Sequence, residues 1–110
     1  MKLTSAEKAW LKAFCKGLRE RYPEKVERLL IYGSKARSTA RPDSDLDVLL
    51  IVRDDAAAAM REIRRMGYLL AATSDAVPSI MAYTSTEWAK RAESGSAFRK
   101  AVERDAVSVL

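Results

Sequence analysis

Leu30-Ile31-Tyr32-Gly33-Ser34 ends an apolar run in a glycine and a hydroxyl. After a ten-residue spacer, Asp45-Leu46-Asp47 opens a second apolar run, Val48-Leu49-Leu50-Ile51-Val52. The first stretch can hold phosphate, because a bulky side chain in place of Gly33 would block its approach to the backbone. In the second, Asp45 and Asp47 sit at i and i+2 of a strand, so their carboxylates point to one face. Two like charges at the edge of an apolar strand repel and lose hydration. A divalent cation between them is the common remedy, and hard oxygen ligands suit Mg²⁺ or Mn²⁺. Asp45 alone could cap a turn. Asp47 abuts the apolar run and would be costly if buried without a partner. Of Lys35 and Arg37 just after the turn, Arg37 has the planar fork that matches phosphate oxygens. Lys35 is open between a solvated role and a phosphate contact.

The flanking pattern supplies elements to carry these groups. Thr4-x-x-Glu7 reads as a capping box for a first helix. Ala9, Trp10, Ala13, Phe14 and Leu18 then recur at helical spacing to about Tyr22, where Pro23 ends the helix. Val26 to Tyr32 is the first predicted strand, and a short helical turn from Ser34 would offer free N–H groups to an anion. Ala40 to Ser44 is a loop. Asp45 to Val52 is the second strand, and being apolar on both faces beyond Asp47 it belongs in the middle of the sheet. Asp54-Asp55 is an acidic N-cap for the alanine-rich helix that follows. Met60, Ile63 and Met66 form its buried face, and Gly67 interrupts or softens it. Thr73 to Ala76 is a turn, and Ser79 to Tyr83 is the third strand. Thr84-x-x-Glu87 caps another helix, Phe98 to Glu103 forms the last one, and Val107 to Leu110 could add a short strand.

Composition narrows the classes. With 110 residues, 48% of them hydrophobic and 32% charged, a single folded domain spanning residues 1–110 is expected. The absence of histidine excludes histidine catalysis and histidine-ligated zinc. Cys15 is the only cysteine, so no internal disulfide can form, and its spacing suits a helix core position. No apolar run reaches membrane-spanning length, and the N-terminus lacks the apolar core of a signal peptide, which fits the cytoplasm. The net charge of +5 favours a polyanionic partner such as a nucleoside triphosphate. Arg61, Arg64 and Arg65 read as a solvated helix face. No RNA-binding motif with interleaved aromatics is visible, so nucleic acid is not expected as a direct ligand. A homo-oligomer is left open.

The segments Gly33-Ser34-Lys35-Ala36-Arg37-Ser38-Thr39 and Asp43-Ser44-Asp45-Leu46-Asp47 together resemble the signature of the DNA polymerase β superfamily of nucleotidyltransferases. The similarity is strongest to the small "minimal nucleotidyltransferase" (MNT) proteins. Thr84-Ser85-Thr86-Glu87-Trp88 and Phe98 to Asp105 resemble their C-terminal half. The resemblance implies an α/β fold of the α+β type, with a small mixed sheet and helices mainly on one side. It implies that Gly33, Ser34 and Arg37 bind the phosphates of an NTP, most simply ATP. Asp45 and Asp47 would then serve as the catalytic carboxylates that hold Mg²⁺ or Mn²⁺. It further implies transfer of a nucleoside monophosphate to a hydroxyl, for instance a tyrosine of a HEPN-domain toxin partner, making the protein an antitoxin.

Two positions depart from the resembled pattern. Ser38 stands where a glycine is usual. A third carboxylate, expected on the third strand as a base toward the attacking hydroxyl, is missing. Ser79 stands near its expected place. Asp75 lies just before that strand and would reach the site only if its turn curled inward; a solvent-exposed turn residue is its plainer reading. The alternative function is therefore a catalytically weak or inactive NTP-binding antitoxin that neutralises its partner by contact.

Overall fold

The computed structural model describes residues 1–41 and 43–110. The chain runs α1 (Ser5–Arg21), β1 (Val26–Tyr32), a one-turn α2 (Gly33–Ala36) and β2 (Leu46–Val52). A 3-10 helix (Asp54–Ala59) leads into α3 (Met60–Ala71), followed by β3 (Pro78–Thr84), α4 (Ser85–Glu93), α5 (Ala97–Asp105) and β4 (Val107–Ser108). The sheet order is β3-β2-β1-β4, with β2 in the interior as its two-sided apolar pattern requires. β1 pairs antiparallel with β2 and β4, while β2 pairs parallel with β3, giving a mixed sheet.

Side chains alternate across this sheet and divide the core in two. Leu29, Ile31, Val48, Leu50 and Ile80 face Trp10, Phe14 and Leu18 of α1 and Ile63 and Met66 of α3. Leu30, Leu49, Ile51 and Tyr83 face the opposite way, against Trp88 of α4 and Val102 of α5. The larger core thus lies against α1 and α3, and a smaller helical layer, α4 and α5, covers part of the other face. Trp88 anchors that layer. Its ring meets Tyr83 and Phe98, and its indole N–H donates to Glu103 over 3.0 Å.

Both capping boxes form, at Thr4/Glu7 and at Thr84/Glu87. Two local expectations need correction. Asp54 does not cap its own helix, because Arg53 occupies the N-cap position. The Asp54 carboxylate instead accepts from the backbone N–H and hydroxyl of Thr86, tying the end of β2 to α4. Gly67 does not interrupt α3. A methyl group there would come within 2.7 Å of Ile80 and 3.2 Å of Phe14, so its missing side chain lets the helix approach both. The Gly67 carbonyl also accepts the Trp10 indole N–H over 2.8 Å. No helix of the structure is long and apolar enough to cross a membrane.

Candidate functional site

The uncovered corner of the α4/α5 face is where β1 ends, β2 begins and β3 begins. Asp47 shares the parity of Leu49 and Ile51 and so points to this face. Across β1 it pairs with Tyr32, and across β3 with Ser79. Asp45 lies one residue before β2 and is exposed, whereas Asp47 is half-buried.

Gly33 follows Tyr32 with φ of +71°, in the left-handed region that favours glycine. A Cβ at Gly33 would overlap the Asp47 carboxylate. The glycine is therefore needed twice, for its backbone angle and for the close approach of the carboxylate. Together these requirements place the Gly33–Ser34 turn against the start of β2. The turn enters helix directly, with Tyr32 as N-cap, so helix begins one residue earlier than the sequence indicates.

Burial, and then the charge of Asp45, raises the carboxyl pKa of Asp47 above its ordinary value, while Arg37 partly offsets this. Asp45 and Arg37 thus each lie within electrostatic reach of Asp47. Arg37 is exposed and sits 3.9 Å from Asp105 at the end of α5. Asp105 in turn pairs with Arg104 over 3.0 Å. A phosphate reaching Arg37 would have to compete with Asp105.

Lys35 takes no part in this corner. It is 3% exposed, 3.1 Å from the equally buried Glu7 and hydrogen-bonded to the Arg41 carbonyl. Ser38 adopts φ of +60°, so the serine occupies a left-handed position where glycine would be unstrained. That conformation costs a non-glycine residue about 1–2 kcal/mol. Glycine loses about 0.5–1 kcal/mol more in unfolded-chain entropy. Ser38→Gly should therefore leave the melting temperature unchanged or raise it by a few degrees. A clear fall in a thermal melt would show that the serine side chain supports the loop.

Ser79 is half-buried beside Asp47, whereas Asp75 is exposed in the preceding turn. That turn is held by Ser74, whose hydroxyl accepts the Ala76 N–H over 3.0 Å. Among the described residues no group of three or more His, Cys, Asp or Glu side chains could hold a metal. The donor set here is two carboxylates. That suits one Mg²⁺, which commonly takes one or two carboxylates and completes its shell with water and substrate phosphate.

Tyr32 is the neighbour that sequence reasoning overlooked. Its pKa is pushed up to about 12, first by burial and then by Asp47, Tyr83 and Tyr68. It therefore stays a neutral phenol beside the carboxylates at any physiological pH, its ring set edge-on against Phe98 at 5.4 Å. The only sequence signal was its place just before Gly33; that it faces Asp47 is a matter of strand register.

The site is thus a glycine turn pressed onto one of two neighbouring carboxylates at one end of a mixed sheet. Residues 11–102 match the nucleotidyltransferase domain family, and the chain belongs to that family. Nucleotidyl transfer is thus the general chemistry its family supports. A Sulfolobus solfataricus protein of known crystal structure, provisionally classed as a nucleotidyltransferase, shares the fold. The TM-score is 0.54 over 97% of this chain and 87% of that one, at 17% identity. No curated protein matches the chain at a significant level of sequence similarity.

Proposed function

We propose that the protein moves a nucleoside monophosphate, in the simplest case AMP, from an NTP to a hydroxyl in a Mg²⁺-dependent reaction. The observation that carries this reading is the contact of Gly33 with the Asp47 carboxylate, in a chain of the nucleotidyltransferase domain family. Asp45 and Asp47 are the residues that would hold Mg²⁺. The bound cation would supply charge neutralisation for the phosphates and the pyrophosphate leaving group. The open backbone of Gly33 and the Ser34 hydroxyl receive the outer phosphates, and Arg37 pairs with their oxygens. In the transfer, the acceptor oxygen bonds to the α-phosphorus while the bond from that phosphorus to the pyrophosphate oxygen breaks. The hydroxyl proton needs an acceptor. Ser79 cannot serve at neutral pH and Tyr32 is already protonated, so the proton passes to solvent water.

A protein acceptor fits the surroundings. Met81, two residues beyond Ser79 on β3, shares the face of Asp47 and is 40% exposed, and Val77 just before the strand is 58% exposed, which sets apolar surface near the carboxylates. Exposed apolar surface of this kind is common where a partner docks. The MNT resemblance supplies the specific form of the proposal: a tyrosine of a HEPN-domain toxin accepts AMP, and the protein acts as an antitoxin. A second reading is favoured by Ser79 standing in register with Asp47. In that reading the protein binds NTP and its partner but transfers slowly or not at all.

Calorimetry with ATP is expected to show binding in Mg²⁺ that EDTA abolishes; ATP binding that EDTA leaves unchanged would remove the cation from the proposal. Arg37→Ala should weaken that binding about 10- to 100-fold, the usual range for one hydrogen bond to a charged group. Unchanged affinity would assign Arg37 to its pairing with Asp105 alone. Label transfer from ATP to a co-expressed partner separates the enzyme from the binding module.

A further inference from the structure

We propose that Glu7 and Lys35 form a buried strut that positions the Gly33–Arg37 turn and the loop leading to Asp45. The inference rests on the nucleotide-binding reading only for its consequence in binding, not for the strut itself. Glu7 is the third residue of α1, and its Oε1 accepts the Thr4 N–H over 2.8 Å in the capping box. The same oxygen lies 3.1 Å from Lys35 Nζ, and both residues are 3% exposed. Lys35 Nζ also donates to the Arg41 carbonyl over 3.3 Å, and the Lys2 N–H donates to the Lys35 carbonyl over 3.1 Å. One ammonium group therefore joins the start of α1, the one-turn α2 and the loop preceding Asp45.

Stability alone does not call for such a pair. Desolvating two charges offsets most of their attraction, and apolar replacements of similar volume often serve as well. What a buried pair supplies is direction, because both charges must be matched by fixed donors and acceptors. Here the fixed groups belong to the segment that carries Ser34 and Arg37. Beyond the strut, that segment is held by the buried Ala36 and by hydrogen bonds within itself. Its helix is a single turn without a side-chain cap, and Ser38 stands in a left-handed conformation. Lys35 and Glu7 are accordingly positioning residues that act through the turn.

The test uses Lys35→Met, which strands a buried carboxylate, and the double variant Glu7→Gln/Lys35→Met, which removes both charges. Glutamine keeps the capping box. Lys35→Met alone should melt well below the wild type, and the double variant should recover most of that loss. Exchange of the Ser38, Thr39 and Ser44 amides, each bonded within this segment, should nevertheless quicken about tenfold in the double variant, as for a locally loosened unit. Its affinity for Mg·ATP should fall about 10- to 100-fold, the scale expected when binding groups are displaced by an ångström. Unchanged exchange in the folded double variant would overturn the strut, whatever ATP does. Faster exchange in a protein whose wild type binds no ATP would keep the strut and sink the nucleotide reading instead. Should the double variant fail to fold, Glu7→Gln/Lys35→Leu, likewise free of both charges, gives the same exchange readout, with the same outcome overturning the proposal.

Discussion

Asp47→Asn is expected to abolish nucleotidyl transfer while leaving the metal-free protein folded and equally or slightly more stable. Asp47 lies between Tyr32 and Ser79 in the sheet, beside the charge of Asp45 and against the Cα of Gly33. Its ionised form is therefore disfavoured in the folded chain. Asparagine keeps the shape and removes the charge. Losing a bound divalent cation removes several kcal/mol of charge stabilisation, about 10³-fold or more in rate. Asp45→Asn should act in the same direction. Label transfer from ATP gives the first half of the result, and thermal melts in EDTA give the second. A large fall in melting temperature for both variants would make the aspartates structural. Retained EDTA-sensitive ATP binding by Asp47→Asn would remove the cation from this site.

The pH dependence of the metal-free protein follows from the same environment. The folded pKa of Asp47 is raised, first by burial and then by Asp45. Its favourable contribution is therefore complete below the ordinary carboxylate range and is lost as pH rises through the raised value. Above the raised value the ionised carboxylate is disfavoured in the folded protein in EDTA. Asp47→Asn should remove that downward step from the melting profile. A profile that kept the same step in Asp47→Asn would assign it to another group.

Much of this geometry can be read in the chain because it is local. The run Val26–Tyr32 is a strand over its whole expected length, so Gly33 falls at the turn where its freedom matters. The all-apolar run after Asp47 places β2 inside the sheet, and an interior strand brings β1 and β3 to its two sides. The capping boxes are equally local, since each needs only residues three apart. The coverage of the second sheet face is fainter. α4 and α5 bury only Trp88 and Val102 fully, too few to announce a helical layer by periodicity.

What stayed hidden depends on contacts between distant residues. Nothing near Lys35 marks it as buried, since its partner Glu7 lies in another helix and looks complete as half of a capping box. Arg37 meets Asp105 only because the last helix returns to α2. Tyr32 faces Asp47 through antiparallel register, which shifts between Val26 and Arg28 and so cannot be counted from the strand ends. Asp54 has the spacing of a helix cap but is drawn to Thr86 at the start of α4, because a tertiary partner outcompetes a local one.

Ser79→Asp is expected to raise the transfer rate about 10²–10⁴-fold, the usual contribution of a well-placed general base. Ser79 stands directly beside Asp47 on the parallel neighbour strand, with its side chain on the same face. A serine hydroxyl cannot accept a proton at neutral pH, whereas a carboxylate in its place can take one from the acceptor hydroxyl. The gain should come with a cost in EDTA. A third negative charge beside a half-buried carboxylate adds repulsion, so the variant should melt below the wild type without Mg²⁺ and recover with it. Asp75→Asn should change little, because Asp75 is exposed in a turn held by Ser74. The assay is labelled AMP transfer to the cognate partner by the wild type and both variants. An inactive Asp75→Asn with an unaltered Ser79→Asp would mean that the turn swings inward and Asp75 is the base. No transfer by any of the three, with the partner still neutralised, would sink the enzyme reading and leave a binding module that acts by contact.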